Sequence, residues 1–328
     1  MMGVNAHEGL GQMNGLELSK SYYETYGKEL IEVRFKDIAG HIAVGLAGNG
    51  SECLGFDDEI SRDHDFEPGF CIFLPDEEKV DEKTAFALKR AYDSLPDTFM
   101  GFSRQKMKPV GGERHGVIRR ADFIRSRCGN SEGNLSAYDW LSVPEYSLTE
   151  IVNGELFFDG DGEFTNIREK LKKYPDEIRL KKLAGYLLAM GQAGQYNYMR
   201  CINRQDTAAA QMSVFKFTDA ALHVVFLLNG KYMPYYKWSF RALKGLERLS
   251  ELHDPLEFLI SSDNDGKRAD TKAGMIEDVA ALLIRELKAE GISDAVCNDL
   301  EKHAYSVNDH IKDGVLRNLD IYAGYTGL

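Results

Sequence analysis

The spacing of hydrophobic and polar positions changes near residue 160. Before that point, short apolar runs alternate with segments of helical spacing. After it, apolar residues recur almost throughout at three- and four-residue steps, with short breaks. This change predicts an α+β protein, in which a small mixed-sheet domain at residues 1–160 precedes an all-α helical bundle at residues 161–328.

The first part contains candidate strands between candidate helices. Helical spacing is present at 16–34 and 82–94. The apolar run 41–47 predicts a buried strand that leads into a glycine-rich loop at 48–51. Two further strands are predicted. One comprises 63–66 and 70–74 with an interruption at Pro68-Gly69, and the other is 116–124.

The second part contains six segments with helical periodicity. Tyr174-Pro175-Asp176 marks a stop and a restart, because proline is tolerated in the first turn of a helix but not in its interior. Asp206 is a suitable N-cap for the long helix that follows it. The six predicted helices are 164–174, 177–202, 207–228, 235–250, 271–290 and 293–312.

Charge, cysteine content and hydropathy argue against a nucleic-acid-coating protein, a zinc-knuckle protein and a membrane protein. The chain has 328 residues and a formal charge of -12, a poor match for a protein that coats nucleic acid electrostatically. Its five cysteines are far apart and include no CxxC pair, which predicts reduced thiols rather than a zinc knuckle. The apolar stretch 220–228 is far shorter than the roughly 20 residues that span a bilayer, and the amino terminus lacks a signal-peptide pattern. We therefore expect a soluble cytoplasmic protein with no membrane partner.

The charge is unevenly distributed in the first part. Residues 52–67 contain seven acids and one base, whereas residues 104–127 contain eight bases and two acids. An acidic segment and a basic segment in one small domain suit a cation and a polyanion bound side by side. Two ordinary solvated faces are the alternative, and charge alone slightly favours that alternative.

The most informative stretch joins a glycine-serine loop to a pair of aspartates. A predicted strand leads to Gly50-Ser51, and Asp63 and Asp65 then open the next predicted strand. Residues two apart on a strand point to the same face, so both carboxylates can converge on one site. Oxygen ligands of this kind suit Mg²⁺ shared with substrate phosphates, and a glycine-serine turn can bring N–H groups and a hydroxyl to phosphate oxygens.

This arrangement resembles the signature of the nucleotidyltransferase superfamily, which includes aminoglycoside and lincosamide nucleotidylyltransferases. The chain also looks like a bacterial family of nucleotidyltransferase-like proteins of unknown function, and the resemblance covers most of residues 16–250. Besides the site motif, it depends on the segments Asp139-Trp140-Leu141, Gly154-Glu155-Leu156-Phe157-Phe158-Asp159, Tyr174-Pro175 and Tyr232-Met233-Pro234-Tyr235-Tyr236-Lys237-Trp238.

The resemblance implies a role for each matched residue. Gly50 and Ser51 match the phosphate-binding turn, and Asp63 and Asp65 match the metal-binding pair. Lys237 matches a position that faces the triphosphate, and Arg119 is taken as a second phosphate contact. The superfamily usually adds a third carboxylate on the next strand or on a facing helix. Three acids are available for this role here: Asp122, Glu155 and Asp159. Their spacing does not identify which of them is the third carboxylate. Asp122 is taken as the catalytic residue.

Two segments of the helical part have alternative interpretations. Around Lys237, the aromatic residues of 232–238 either stack on a base or fill the bundle, and aromatic runs are more often core. Gln192, Gln195 and Tyr196 either line a substrate pocket or form a hydrogen-bonded network between helices, with equal support. Gln192 and Tyr196 are four residues apart and share a face of an α-helix.

The sequence therefore predicts a Mg²⁺-dependent nucleotidyltransferase. Its substrates would be a nucleoside triphosphate and a small hydroxyl-bearing acceptor between the two domains, with nucleic acid disfavoured. One alternative is a nucleotide- or partner-binding module with weak or lost transfer activity. Another is nucleotidylation of RNA or of a protein.

Overall fold

The computed structural model describes residues 13–60, 66–104 and 114–327, and these residues form two compact units. The sheet unit comprises the described residues up to Asn134 together with Ser147–Lys172. The helical unit comprises Leu135–Tyr146 and the described residues from Lys173 onward. The strands described belong to the first unit and helices predominate in the second, so the predicted α+β class is confirmed.

A four-stranded mixed sheet organises the sheet unit. Its order is β5-β2-β1-β6, in which β1 is antiparallel to both neighbours and β2 is parallel to β5. A two-stranded hairpin lies apart from it. The strands are β1 Ala43–Leu46, β2 Cys71–Leu74, β3 Thr98–Phe99, β4 Phe102–Ser103, β5 Gly116–Arg119 and β6 Glu155–Asp159. All four residues of β1 are buried, as the apolar run predicts.

The register gives the sheet two distinct edges along the strand direction. At the first, which we call the turn edge, β1 ends at Leu46 while β2, β5 and β6 begin at Cys71, Gly116 and Glu155. At the opposite end, the far edge, β1 begins while the other three strands end. A four-residue strand spans about 10 Å, so a side chain must be assigned to one edge or the other before it can be assigned to a site.

Helices cover this sheet. The first begins after a capping box in which Asn14 and Glu17 exchange side-chain and backbone hydrogen bonds. Two π-helical turns, Tyr23–Gly27 and Leu30–Arg34, continue it. The α-helices of this part are α1 Gly15–Tyr22, α2 Lys36–Ala39, α3 Ser51–Leu54, α4 Glu82–Asp93, α5 Arg120–Cys128, α6 Ala137–Ser142, α7 Glu145–Val152 and α8 Glu163–Lys170, of which α6 belongs to the helical unit and α7 begins there.

Two strand predictions need correction. In the described part of 63–74, the strand is confined to Cys71–Leu74. The predicted strand 116–124 ends at Arg119, and α5 follows immediately. The buried residues of α5 are Arg120, Phe123, Ile124 and Cys128, at the three- and four-residue steps of one helix face. The apolar pair at 123–124 therefore belongs to a helical pattern rather than to the end of a strand.

The helical unit contains a helix in each predicted segment from 177 onward. However, the predicted helix 235–250 ends at Leu243, the predicted helix 293–312 begins at Leu300, and the helices His253–Ser261 and Gly314–Asn318 were not predicted. Pro175 occupies the N-cap of α9, and the Asp206 side chain caps α11 by accepting from the Ala209 N–H. The predicted helix 177–202 contains a π-helix, Gly191–Tyr198, in its middle. The remaining α-helices are α9 Asp176–Met190, α10 Met199–Asn203, α11 Thr207–Leu228, α12 Tyr236–Leu243, α13 His253–Ser261, α14 Lys267–Ala289, α15 Leu300–Asp309 and α16 Gly314–Asn318.

One helix of the described chain, α11, is long and apolar enough to cross a membrane by length and composition. Its most apolar window has a mean hydropathy of 1.2, and 67% of that window is buried inside the protein. Burial of this extent is typical of the core helix of a soluble protein, which accounts for the hydropathy without a membrane.

Candidate functional site

The side chain of Asn153 holds the glycine-rich turn that follows β1. The Gly48 N–H donates to Asn153 Oδ1 at 3.0 Å, and Asn153 Nδ2 donates back to the Gly48 carbonyl at 2.8 Å. Gly48 has φ +129°, a conformation that disfavours any other residue. Asn153 lies just before β6, so the same contact ties the turn to the strand that begins at Glu155.

Gly50 and Ser51 both lie at the turn edge. Gly50 is extended, and Ser51 is the first residue of the short helix α3 and is buried. This places a small residue and a hydroxyl in the turn that follows the buried strand, in the order that a phosphate-binding turn requires.

Two acids next to this turn were not among the residues that the sequence analysis selected. Glu52 is only 7% exposed, and its carboxylate lies so close to Gly50 that a Cβ there would be 2.2 Å from Glu52 Oε1. Asp57 Oδ2 accepts from the Gly15 N–H at 2.6 Å, whereas Asp57 Oδ1 is buried without a hydrogen-bond partner among the described residues. The sequence could have identified Glu52 as a candidate site residue, because it directly follows Gly50-Ser51 in the acid-rich segment.

Two arginines lie close to the acidic side chains around this turn. Arg114 Nη1 lies 3.8 Å from Glu52 Oε1. Arg127 pairs with Glu150 at 3.1 Å, and its Nη2 would be 3.3 Å from a Cβ on Gly48, so it lies beside the turn. Burial lowers the pKa of Arg127 and the Glu150 carboxylate opposes that shift, so the ion pair compensates the burial of this cation.

Of the three acids considered for the third carboxylate, Glu155 is the one at the turn edge. It pairs with Leu46 in the sheet, and its Oε1 lies 2.5 Å from Lys20 Nζ. The pKa of Lys20 is raised by this hydrogen bond and by the charge of Glu155. Asp159 lies at the far edge, where its Oδ2 accepts from the Thr165 N–H at 2.7 Å.

Asp122 and Arg119 are both placed away from Gly50 and Ser51. Asp122 is an exposed residue in the first turn of α5, paired with Arg125 at 3.0 Å, so the strand that was predicted to hold it is wrong. Arg119 ends β5 at the far edge. Its guanidinium donates to the carbonyls of Pro75 at 2.9 Å and Val80 at 2.8 Å, and it pairs with Glu82 at 2.6 Å. These contacts join the end of the sheet to α4.

Several predicted features lie outside the described residues. They are the metal pair Asp63 and Asp65, together with residues 105–113 of the basic segment. The described chain resumes at Phe66, a few residues before β2 begins at the turn edge.

Glu52, Asp57 and Ser51 offer oxygen atoms of the types that bind a hard divalent cation such as Mg²⁺. Glu52 and Asp57 both lie beside Gly15, whose Cβ position would be 2.6 Å from Glu52 Cβ and 3.5 Å from Asp57 Oδ2. The buried Asp57 Oδ1 has accepting capacity that the described residues leave unused. Carboxylate oxygens and a serine hydroxyl are the ligand types that Mg²⁺ prefers, and it commonly completes its shell with substrate phosphates.

In the helical unit, Lys237 lies in the first turn of α12 and is exposed. Its Nζ is 4.9 Å from the centre of the Trp238 ring. The helix begins at Tyr236, two residues after Pro234 and one residue after the predicted start at 235.

The aromatic residues around Lys237 are divided between core and surface. Tyr232 is buried and Trp238 is half-buried, whereas Tyr235 and Tyr236 are exposed with ring centres 4.5 Å apart. The core interpretation is therefore confirmed for Tyr232, whereas stacking on a base stays a prediction for the exposed Tyr235 and Tyr236.

Gln192, Gln195 and Tyr196 separate into different environments. Gln195 forms an interhelical network, because its Nε2 donates to Glu277 at 2.7 Å and its Oε1 accepts from the Leu300 N–H at 2.9 Å. Tyr196 is exposed with the Arg200 guanidinium 4.1 Å from its ring centre. Gln192 lines a pocket together with Asn197. A π-helical turn brings residues five apart closer to one face than an α-helix does, which agrees with Gln192 and Asn197 lining the same pocket.

One family model, described as "Domain of unknown function (DUF4037)", matches residues 140–239. No curated protein and no solved structure matches the chain. The matched residues include Gln192, Gln195, Tyr196 and Lys237, whereas Gly50 and Ser51 lie outside them.

Proposed function

We propose that this protein is a Mg²⁺-dependent cytoplasmic nucleotidyltransferase that transfers a nucleoside monophosphate from a nucleoside triphosphate to a hydroxyl of a small molecule. The observation that carries the proposal is the turn edge. There a buried strand leads through a turn to Gly50-Ser51, and the strand that follows the Asp63–Asp65 segment begins at the same edge, as does β6 with Glu155.

In this proposal, Asp63 and Asp65 hold the metal, and Gly50 and Ser51 bind the outer phosphates. Glu155 replaces Asp122 as the third carboxylate, because it is at the turn edge and its half-exposed side chain can accept the proton of the acceptor hydroxyl. The oxygen of that hydroxyl forms a bond to the α-phosphorus as the bond to pyrophosphate breaks. Bound Mg²⁺ supplies neutralisation of the charge on the phosphates.

A second candidate is a nucleotide-binding module that turns over weakly or not at all. The position of Glu52 favours it, since the carboxylate covers Gly50 at the place where a phosphate would bind. Glu52 must then move, become a metal ligand or remain as a block, and Glu52→Gln distinguishes these cases. Faster transfer indicates a block, slower transfer indicates a ligand, and unchanged transfer indicates that the side chain moves away.

Transfer is tested with α-labelled nucleoside triphosphates, Mg²⁺ and a panel of polyhydroxylated acceptors, with pyrophosphate release and label transfer measured together. Label in a small product supports the proposal. Label in lysate RNA or in protein indicates nucleotidylation of a macromolecule. Tight Mg²⁺-nucleotide binding without pyrophosphate release indicates the binding module.

Substitution by Gln is expected to change a different property at each of two arginines: nucleotide affinity at Arg114 and the free energy of unfolding at Arg119. Arg114→Gln should weaken Mg²⁺-ATP binding by roughly tenfold, the scale of one charge-assisted hydrogen bond to a phosphate, because Arg114 lies at the turn edge. Arg119→Gln should leave nucleotide affinity unchanged and lower the free energy of unfolding by about 1–3 kcal/mol, because two backbone carbonyls lose their donor. Titration calorimetry and urea unfolding separate the two effects, and equal affinity losses would contradict the assignment of edges.

Lys237→Ala is expected to weaken triphosphate binding by about 1–3 kcal/mol while changing monophosphate binding much less, because only the outer phosphates would reach the ammonium group. Lys244→Ala is the matched control, since Lys244 is also exposed and follows the last residue of the same helix. Titration of both variants with ATP and AMP measures the difference. Equal losses for the two nucleotides would place Lys237 away from the triphosphate.

A further inference from the structure

The helical unit has a pocket of about 610 Å³ next to the π-helix, lined by that helix and by the first half of α11. This volume is within the range of small-molecule sites. The lining residues are Gln192, Ala193, Asn197, Met212, Ser213, Phe215 and Lys216.

The π-helix determines which side chains face the pocket. Gly194 allows α11 to pack closely, since a Cβ there would lie 2.4 Å from the Phe217 ring. Gln192 and Asn197 both line the pocket, and the wider π-helical turn brings these residues towards one side, whereas residues five apart in an α-helix lie on different faces. π-Helical turns are energetically poorer than α-helical ones and recur at functional sites.

The lining combines one positive charge with uncharged polar and apolar groups. Lys216 is the charged residue of the lining, and it forms no ion pair with any described residue. Its Nζ lies 5.5 Å from the centre of the Tyr325 ring, so its charge is not neutralised by that neighbour. Gln192 and Asn197 each offer an amide donor and acceptor. Met212 and Phe215 supply an exposed apolar surface.

We infer that this pocket binds a small monocarboxylate that carries an apolar ring. One ammonium group matches one negative charge, whereas a phosphate dianion is usually met by several cations or by a run of backbone N–H groups. The ring packs on Met212 and Phe215, and the amides of Gln192 and Asn197 donate to the carboxylate. The inference goes beyond the proposed function, since it requires neither a nucleotide nor transfer.

The test compares three probes of one shape on the full chain without nucleotide: 4-phenylbutyrate, 4-phenylbutan-1-ol and 4-phenylbutylamine. Titration calorimetry is expected to rank them with the carboxylate tightest and the amine weakest. Lys216→Gln should reduce the affinity for 4-phenylbutyrate about tenfold, to that of the alcohol, while the affinity for the alcohol stays the same. Lys244→Gln, at an exposed lysine outside the pocket, should leave all three affinities unchanged.

A second variant tests the location. Ser213→Trp places a large side chain in the pocket and should abolish binding of both 4-phenylbutyrate and the alcohol, with helical content checked by circular dichroism. The inference is overturned if the amine binds as tightly as the carboxylate, or if Lys216→Gln binds 4-phenylbutyrate normally. It is also overturned if phenyl phosphate binds more tightly than the carboxylate. Loss of transfer in the labelled-triphosphate assay does not affect these outcomes, so the two proposals fail separately.

Discussion

Replacing both Asp63 and Asp65 with Asn is expected to reduce nucleotidyl transfer by at least about 10³-fold. The two carboxylates are proposed to hold the metal that neutralises the reacting phosphates, and loss of such an ion removes several kcal/mol of transition-state stabilisation. Folding should change little, because the substitutions remove mutual repulsion between two neighbouring charges in the metal-free protein. Mg²⁺-ATP affinity, measured by calorimetry, should fall in parallel with transfer.

The matched control is the pair Glu77→Gln and Glu78→Gln. Both residues are exposed, and they follow β2 at the far edge of the sheet, so the double variant removes the same charge from the same unit. It should bind Mg²⁺-ATP and transfer label as the native protein does. If the aspartate variant also retained native Mg²⁺-ATP affinity, the metal assignment would be wrong. The resemblance to nucleotidyltransferases would then no longer support a metal-binding role for Asp63 and Asp65.

Local patterns in the sequence predict most of the helical unit. The prediction for 207–228 is confirmed at both ends, because Asp206 caps the helix and Asn229-Gly230 follow its last residue. The strand at 41–47 is confirmed as Ala43–Leu46 for a similar reason, since a fully buried strand is a continuous apolar run bounded by glycine. These features depend on residues close together in the sequence.

The candidate site depends on contacts between distant residues, and the sequence predicts it less well. Whether Glu155 or Asp159 lies near Ser51 is decided by the antiparallel register of β6 with β1, which no local pattern encodes. Arg119 and Arg114 belong to one basic segment, yet β5 separates them to opposite edges. The π-helix is likewise a tertiary outcome, because apolar spacing predicts a helix without specifying i→i+5 hydrogen bonds.

The second large effect is expected at Glu145, an acid that is only 2% exposed within the helical unit. Its Oε2 lies 3.0 Å from His223 Nδ1 and accepts from the Met233 N–H at 3.1 Å. Lys182 is buried nearby and donates to the Leu141 and Gly324 carbonyls, each at 3.3 Å. Burial raises the pKa of Glu145, but His223, Lys182 and the Met233 N–H outweigh burial, so the pKa is lowered overall.

Glu145→Ala should therefore lower the free energy of unfolding by about 3–5 kcal/mol, because it leaves the buried Lys182 ammonium group and the buried His223 side chain without the carboxylate that they face. Glu145→Gln should cost less, since the amide oxygen can still accept from Met233. Glu247→Ala is the control at an exposed acid and should change stability by less than about 0.5 kcal/mol. Urea unfolding at pH 7, followed by far-ultraviolet circular dichroism, measures all three.

The pH dependence provides an independent check on the same carboxylate. Because the folded pKa of Glu145 is lower than its unfolded value of about 4.3, its contribution is fully present above that value and disappears as the pH falls through the folded pKa. The stability gap between the native protein and Glu145→Gln should thus narrow as the pH falls below about 4. His223→Gln, which removes the partner rather than the acid, should weaken this dependence. A gap that widens as the pH falls below about 4 would mean that the pKa of Glu145 is raised in the folded protein, and the contact with His223 would then have to be reassigned as a neutral hydrogen bond.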